Sequence, residues 1–166
     1  MSLSASADAE KILFAASQRM ADGNVSDALD MLTELTAVNP DFGKGFLSLA
    51  NIYAFHFNDF KSAEQNFKKA IALTPDYAAS YLGYTELLLQ QERFTEALAM
   101  LNKAIEIQGV KKDKTYFLFG TMYELQSRFD DALSFYKKGI VATLSNDLLL
   151  SCEKAIQRCE IKKKYI

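Results

Sequence analysis

Four alanines recur along the chain at a nearly fixed interval: Ala28, Ala63, Ala97 and Ala132 stand 35, 34 and 35 residues apart. Four positions after each comes a large residue, Leu32, Phe67, Leu101 or Tyr136. Pro40 and Pro75 keep the same interval. Each predicts a helix end, because proline has no N–H to donate and pushes its predecessor out of helical geometry. Each unit therefore reads as helix, short polar turn, helix, with turns at "DGN" (22–24), "FND" (57–59), "QER" (91–93) and "SRF" (127–129). A small residue lets two helices cross closely while the large one fills the neighbouring hole. One such hairpin cannot bury its apolar face alone, so successive copies must stack. Only seven glycines and two prolines punctuate 166 residues, which favours helix over sheet.

The first helices repeat as well. Phe46, Leu49, Ala50 and Tyr53 correspond to Tyr116, Phe119, Gly120 and Tyr123. The strings "FLSLANIY…A…F…A…P" and "YFLFGTMY…A…Y…G" resemble the tetratricopeptide repeat, with its bulky residue, Leu-Gly, Tyr, then Ala, a large residue, Ala and Pro. The resemblance implies an all-α fold: a right-handed superhelical solenoid of helix-turn-helix repeats (an α-α superhelix) in one domain over 1–166. Repeats are expected at about 9–42, 43–77, 78–111 and 113–146. Departures fall at several places: Ile12, Ala15, Ala16 and Arg19 fill the motif of repeat 1, Thr85 replaces a small residue in repeat 3, and Gly109 its proline. Gly139 and Leu144 replace alanine and proline in repeat 4. These predict end units that are distorted or serve mainly as caps. A capping helix is expected over 147–164, with Asn146 or Asp147 as N-cap. Leu148, Cys152, Ala155, Ile156 and Cys159 form its apolar stripe, opposite Glu153, Lys154, Gln157 and Arg158.

Charge and composition narrow the function. A net charge of -2 argues against general nucleic-acid binding, which leans on clustered Lys and Arg. The charge is uneven: residues 1–100 carry 7 basic and 13 acidic groups, residues 101–166 carry 12 and 8. No apolar run approaches the roughly 20 residues of a membrane span, and no leader pattern opens the sequence. Cys152 and Cys159, seven apart on one helix, would lie about 10 Å from each other at roughly 1.5 Å per residue. That exceeds the roughly 7 Å limit for a disulfide, so they read as buried thiols in a reducing compartment, the cytoplasm.

Nothing in the sequence assembles a catalytic centre, and no enzyme activity, cofactor or metal is expected. The sole histidine, His56, stands near a helix end without a second histidine or a cysteine beside it. No glycine-rich loop cradles phosphate. Asp130 and Asp131 open a helix, where carboxylates favour the N-terminal dipole.

The resemblance places the binding surface on the first helices of the repeats. Its candidate residues are Leu47, Asn51 and Phe55 in repeat 2; Leu82, Glu86 and Leu89 in repeat 3; and Phe117, Thr121 and Glu124 in repeat 4. A subset of the family grips a terminal carboxylate with Lys, Asn and Arg in this groove. Here the matching places hold Leu13, Ser17, Ser48, Ala79 and Gly83, with Asn51 the sole residue of the right kind, which excludes a clamp of that type. A mostly apolar groove suits an apolar peptide or amphipathic helix of another protein, oriented by Asn51, Glu86, Thr121 and Glu124. The alternatives are leucines that simply pack neighbouring helices, a homo-oligomer joining the acidic half of one copy to the basic half of the next, and a small secretion-type chaperone.

Overall fold

The computed structural model describes residues 3–110 and 112–166, with side chains from residue 7 onward. The described residues are helical throughout, without strands: α1 (Leu3–Ala21), α2 (Val25–Val38), α3 (Gly43–Phe55), α4 (Phe60–Leu73), α5 (Ala78–Gln90), α6 (Phe94–Glu106), α7 (Lys112–Leu125), α8 (Phe129–Ala142) and α9 (Asn146–Lys162). A 3₁₀ turn, Lys163–Tyr165, follows. The chain forms two compact units, Met1–Gly83 and Tyr84–Ile166, whose boundary falls within α5. In the first unit α1 packs on α2 and α3 on α4; in the second α7 packs on α8, and α8 on α9.

The turns share a backbone device that the sequence advertises only once. Gly23, Asn58, Glu92 and Ser127 all have positive φ, between 53° and 81°. Each stands five residues before one of the repeating alanines. At three of them the helix ends in the same pair of bonds. Asn24 N–H donates to Arg19 C=O and Gly23 N–H to Met20 C=O, as do Arg93 to Leu88 and Glu92 to Leu89, and Arg128 to Tyr123 and Ser127 to Glu124. This left-handed stop satisfies orphan carbonyls and reverses the chain within three residues. The turn at Asn58 is one residue wider: Asp59 N–H reaches back to Tyr53 C=O, and the Asp59 carboxylate caps α4 by accepting from Ser62 N–H at 3.1 Å. The fourth turn occupies residues 126–128, one earlier than "SRF" suggests, because Phe129 is buried and already opens α8.

Between hairpins the two prolines act as expected. α2 and α4 end one residue before their C-caps, Asn39 and Thr74, with Pro40 and Pro75 next in line. Tyr81 then ties α5 to its entry loop by donating to Pro75 C=O at 2.8 Å. Where proline is missing, Gly109 turns the chain at φ 76° after α6. After α8, Thr143 is extended and its hydroxyl donates to Asp113 at 3.0 Å.

The alanines and their large followers, Ala28/Leu32, Ala63/Phe67, Ala97/Leu101 and Ala132/Tyr136, are all fully buried. A side chain on Gly120 would meet the Tyr136 ring at 2.5 Å, so the tyrosine exists in the core only because α7 offers it a bare backbone. Gly139 makes a similar concession to α9, since its Cβ would sit 3.1 Å from Cys152 Sγ. That contact explains why alanine is absent there. α9 is capped by Ser145, which accepts from Leu148 N–H, rather than by Asn146 or Asp147. Its Cys152, Ala155 and Cys159 are buried, and both thiols are free.

Candidate peptide-binding surface

In the second unit Leu118, Thr121 and Leu125 recur on α7 at the three- and four-residue spacing that puts side chains on one stripe. That stripe and the end of α5 enclose a cavity of about 340 Å³, lined by Glu86, Leu89, Gln90, Glu92, Leu118, Thr121 and Leu125. Leucines dominate its floor, and Leu125, 51% exposed, stands at its mouth. Lys114 Nζ bridges from α7 to the Glu86 carboxylate of α5 at 2.8 Å. With both side chains partly in water this pair contributes less than about 1 kcal/mol, and it is better understood as fixing a polar edge. The Thr121 hydroxyl donates inward to Phe117 C=O at 3.1 Å.

Glu124 belongs to a different arrangement. Its carboxylate is buried and accepts from Arg158 Nε at 2.6 Å and Nη2 at 2.7 Å, from Lys162 Nζ at 2.9 Å and from Tyr136 Oη at 2.8 Å. Burial opposes its ionisation, yet the hydrogen bonds from Arg158, Lys162 and Tyr136 outweigh that cost and hold its pKa at about 2. Burial pushes the Tyr136 phenol well above its ordinary value, with Glu124 adding to the effect. The Glu124 hydrogen bonds raise Arg158 further. The Cys159 thiol is pushed up to about 11, first by burial and then by the negative charge of Glu124. Cys152 is raised by burial too. Arg158, which the helical stripe alone assigns to the solvent face of α9, instead reaches over its edge to this buried carboxylate.

The other candidates divide by exposure. Leu89 is 5% exposed and lines the cavity floor. Phe117 is half-buried and packs on Tyr136 with ring centroids 5.5 Å apart. In the first unit Leu47 and Leu82 are buried, Asn51 is half-buried beside Gly83, and Phe55 is 44% exposed. Lys44 Nζ pairs with Glu10 at 2.6 Å, linking α3 to α1. The structure thus brings Glu86, Leu89 and Thr121 to one cavity. Leu118 and Glu92 line it without having been singled out in the sequence, although the three-residue step from Leu118 to Thr121 was there to find it.

Among the described residues no three His, Cys, Asp or Glu side chains cluster in a way that could hold a metal ion. No helix among them is long and apolar enough to cross a membrane. His56 is the exposed C-cap of α3.

Hairpins of two helices at a 34- or 35-residue period, with a buried alanine and a buried large side chain four residues on in each, are the arrangement of a tetratricopeptide-repeat solenoid, and the chain has that fold. That fold is in general an interaction scaffold rather than a catalytic one. The tetratricopeptide-repeat family matches residues 54–110. The mitochondrial import receptor subunit TOM70 of Rattus norvegicus is 31% identical over 111 residues, 64% of this chain and 18% of the receptor. The chain therefore spans about a fifth of that relative's length. Among solved structures, Pseudomonas aeruginosa PilF superposes with a TM-score of 0.86 at 16% identity, over 98% of this chain and 72% of PilF. A thermophilic TPR protein of Thermus thermophilus does so at 0.78 and 20% identity, over 90% and 81% of the two chains. At these identities the superpositions speak to fold alone.

Proposed function

We propose that the chain is a non-enzymatic interaction module that holds an apolar peptide, or one face of an amphipathic helix, from another protein. The observation that carries this reading is the leucine-floored cavity of the second unit, with Leu125 at its mouth and Glu86 and Thr121 along its sides. About 340 Å³ lies at the small end of ligand pockets and suits one or two apolar side chains rather than a cofactor. Burying one Leu or Phe anchor there contributes roughly 1.5–3 kcal/mol, from which the ordering of the peptide subtracts. Glu86 and Thr121 would orient the peptide backbone. In the first unit Phe55 is the exposed candidate, Asn51 is half-buried, and Leu47 and Leu82 are buried. Glu124 enters the site indirectly, by holding α7 against α9. A relative that is by name an import receptor subunit accords with the reading. A cytoplasmic location, where the free thiols Cys152 and Cys159 would stay reduced, is part of the same proposal.

The test is affinity capture of protein fragments on the native chain and on Leu125→Glu, a variant at an exposed position that leaves the core intact. Circular dichroism checks the fold. Fragments rich in Leu and Phe should bind the native chain and be lost from the variant. Equal capture by both, or recovery of further copies of the chain alone, would refute the site.

A further inference from the structure

α7 carries a second surface. Tyr116 stands nine residues before Leu125, two and a half turns of helix, which points it away from the leucine cavity. There α7 and α8 enclose an open groove of about 550 Å³, its apolar part made by Tyr116, Val141 and Ala142 and its rim by Lys112, Lys137 and Lys138. Val141 lines the groove and is 88% exposed, so its apolar surface is open to a partner.

The electrostatics of this groove are one-sided. Among the described residues three lysines line it and no carboxylate does. Among the described residues none of the three lysines forms an ion pair, nor do Lys103, Lys154 and Lys164 of the same unit, but only Lys112, Lys137 and Lys138 are gathered in one groove. The nearby Asp113 is committed elsewhere: its carboxylate accepts from the Thr143 hydroxyl and from the Lys114 N–H at 2.7 Å. Lys138 lies over the Phe135 ring at 4.5 Å, and that ring stacks on Phe119 and Tyr123 at 4.7 and 5.4 Å. An aromatic stack therefore backs Lys138, and the ammonium groups of Lys112 and Lys137 are left for something outside the chain.

We infer that this groove is a second docking surface, for an acidic peptide segment bearing one large apolar residue. The apolar residue would cover Tyr116 and Val141, and flanking Asp or Glu side chains would meet Lys112 and Lys137. Charge complementarity selects the segment, and the apolar contact gives it register. The surface differs in chemistry and position from the leucine cavity, so a chain can use both at once.

A random peptide library displayed on phage, selected on the full chain and then tested against Lys112→Glu/Lys137→Glu and against Val141→Asp, distinguishes the outcomes. All three substituted positions are exposed, and a thermal melt confirms that the variants fold. The expected result is recovery of sequences rich in Asp and Glu around a Leu, Phe or Trp. Some of these should weaken roughly tenfold or more in either variant, lose affinity as salt is raised, and remain bound by Leu125→Glu. Recovery of sequences with no acidic excess, or of acidic sequences that bind all variants equally, overturns the proposal. So does a failure to recover acidic peptides combined with sedimentation of the native chain, but not the variants, on phosphatidylserine vesicles. That result would assign the groove to a lipid surface instead.

Discussion

Replacing Glu124 with glutamine removes the charge that Arg158 and Lys162 share while keeping the size of the side chain and an acceptor for Tyr136. The gap between a folded pKa of about 2 and the usual 4.5, at about 1.36 kcal/mol per pH unit, sets a ceiling of about 3 kcal/mol on what that charge contributes. The cationic side chains are 50% and 49% exposed, so they regain water when the carboxylate is lost, and screening reduces the figure to about 1.5 kcal/mol. The sign follows from a depressed carboxylate. Its stabilisation is fully present above pH 4.5 and is lost as pH falls through the window down to about 2. Urea unfolding followed by circular dichroism should therefore separate native chain and Glu124→Gln by about 1.5 kcal/mol at neutral pH, with the separation closing below pH 4.5. Because stacked repeats are stabilised by nearest neighbours, hydrogen exchange should place the loss in α8 and α9 rather than across the chain. A variant as stable as the native chain at neutral pH, or a separation that stays constant down to pH 2, would refute the assignment of an ionised, paired Glu124.

Two other substitutions follow from the packing. Gly120→Ala gains about 1 kcal/mol in helix propensity but drives a methyl into the Tyr136 ring, so a net loss of about 1–2 kcal/mol is expected in the same unfolding assay. A stability gain would show that the ring moves aside freely. Ser127→Gly relieves a non-glycine residue at φ 58° and should raise stability by about 0.5–1 kcal/mol, visible as a higher thermal midpoint.

The period of the chain is legible because it is fixed by volume. Reading the repeats in register pairs Ala16 with Leu32, Ala50 with Phe67, Thr85 with Leu101 and Gly120 with Tyr136, and every one of these that carries a side chain is buried. Thr85, which looks like a departure from the motif, is fully buried with a leucine, not an aromatic, as its counterpart. The smallest residue on a first helix, Gly120, meets the largest follower, Tyr136. Gly139 yields to Cys152 in the same way. What the sequence conceals are features set by the backbone or by distant partners. Gly23 announces a left-handed turn, but Asn58, Glu92 and Ser127 adopt the same geometry without glycine because the hairpin imposes it. The cationic partners of Glu124 lie 34 and 38 residues away, and a stripe drawn on α9 alone puts Arg158 on the wrong side. The candidate leucines illustrate the other limit. A motif position says which face a residue is on, whereas the burial of Leu47, Leu82 and Leu89 depends on how closely the surrounding helices approach.

The two thiols of α9 make that helix its own reporter. Cys152 and Cys159 are wholly buried, and burial also holds both in the unreactive thiol form, so an alkylating reagent has two independent barriers to cross. Lifting α9 from α8 removes both at once. The rate of thiol labelling under native conditions thus counts how often the end of the stack comes undone, on a chain that needs no added probe.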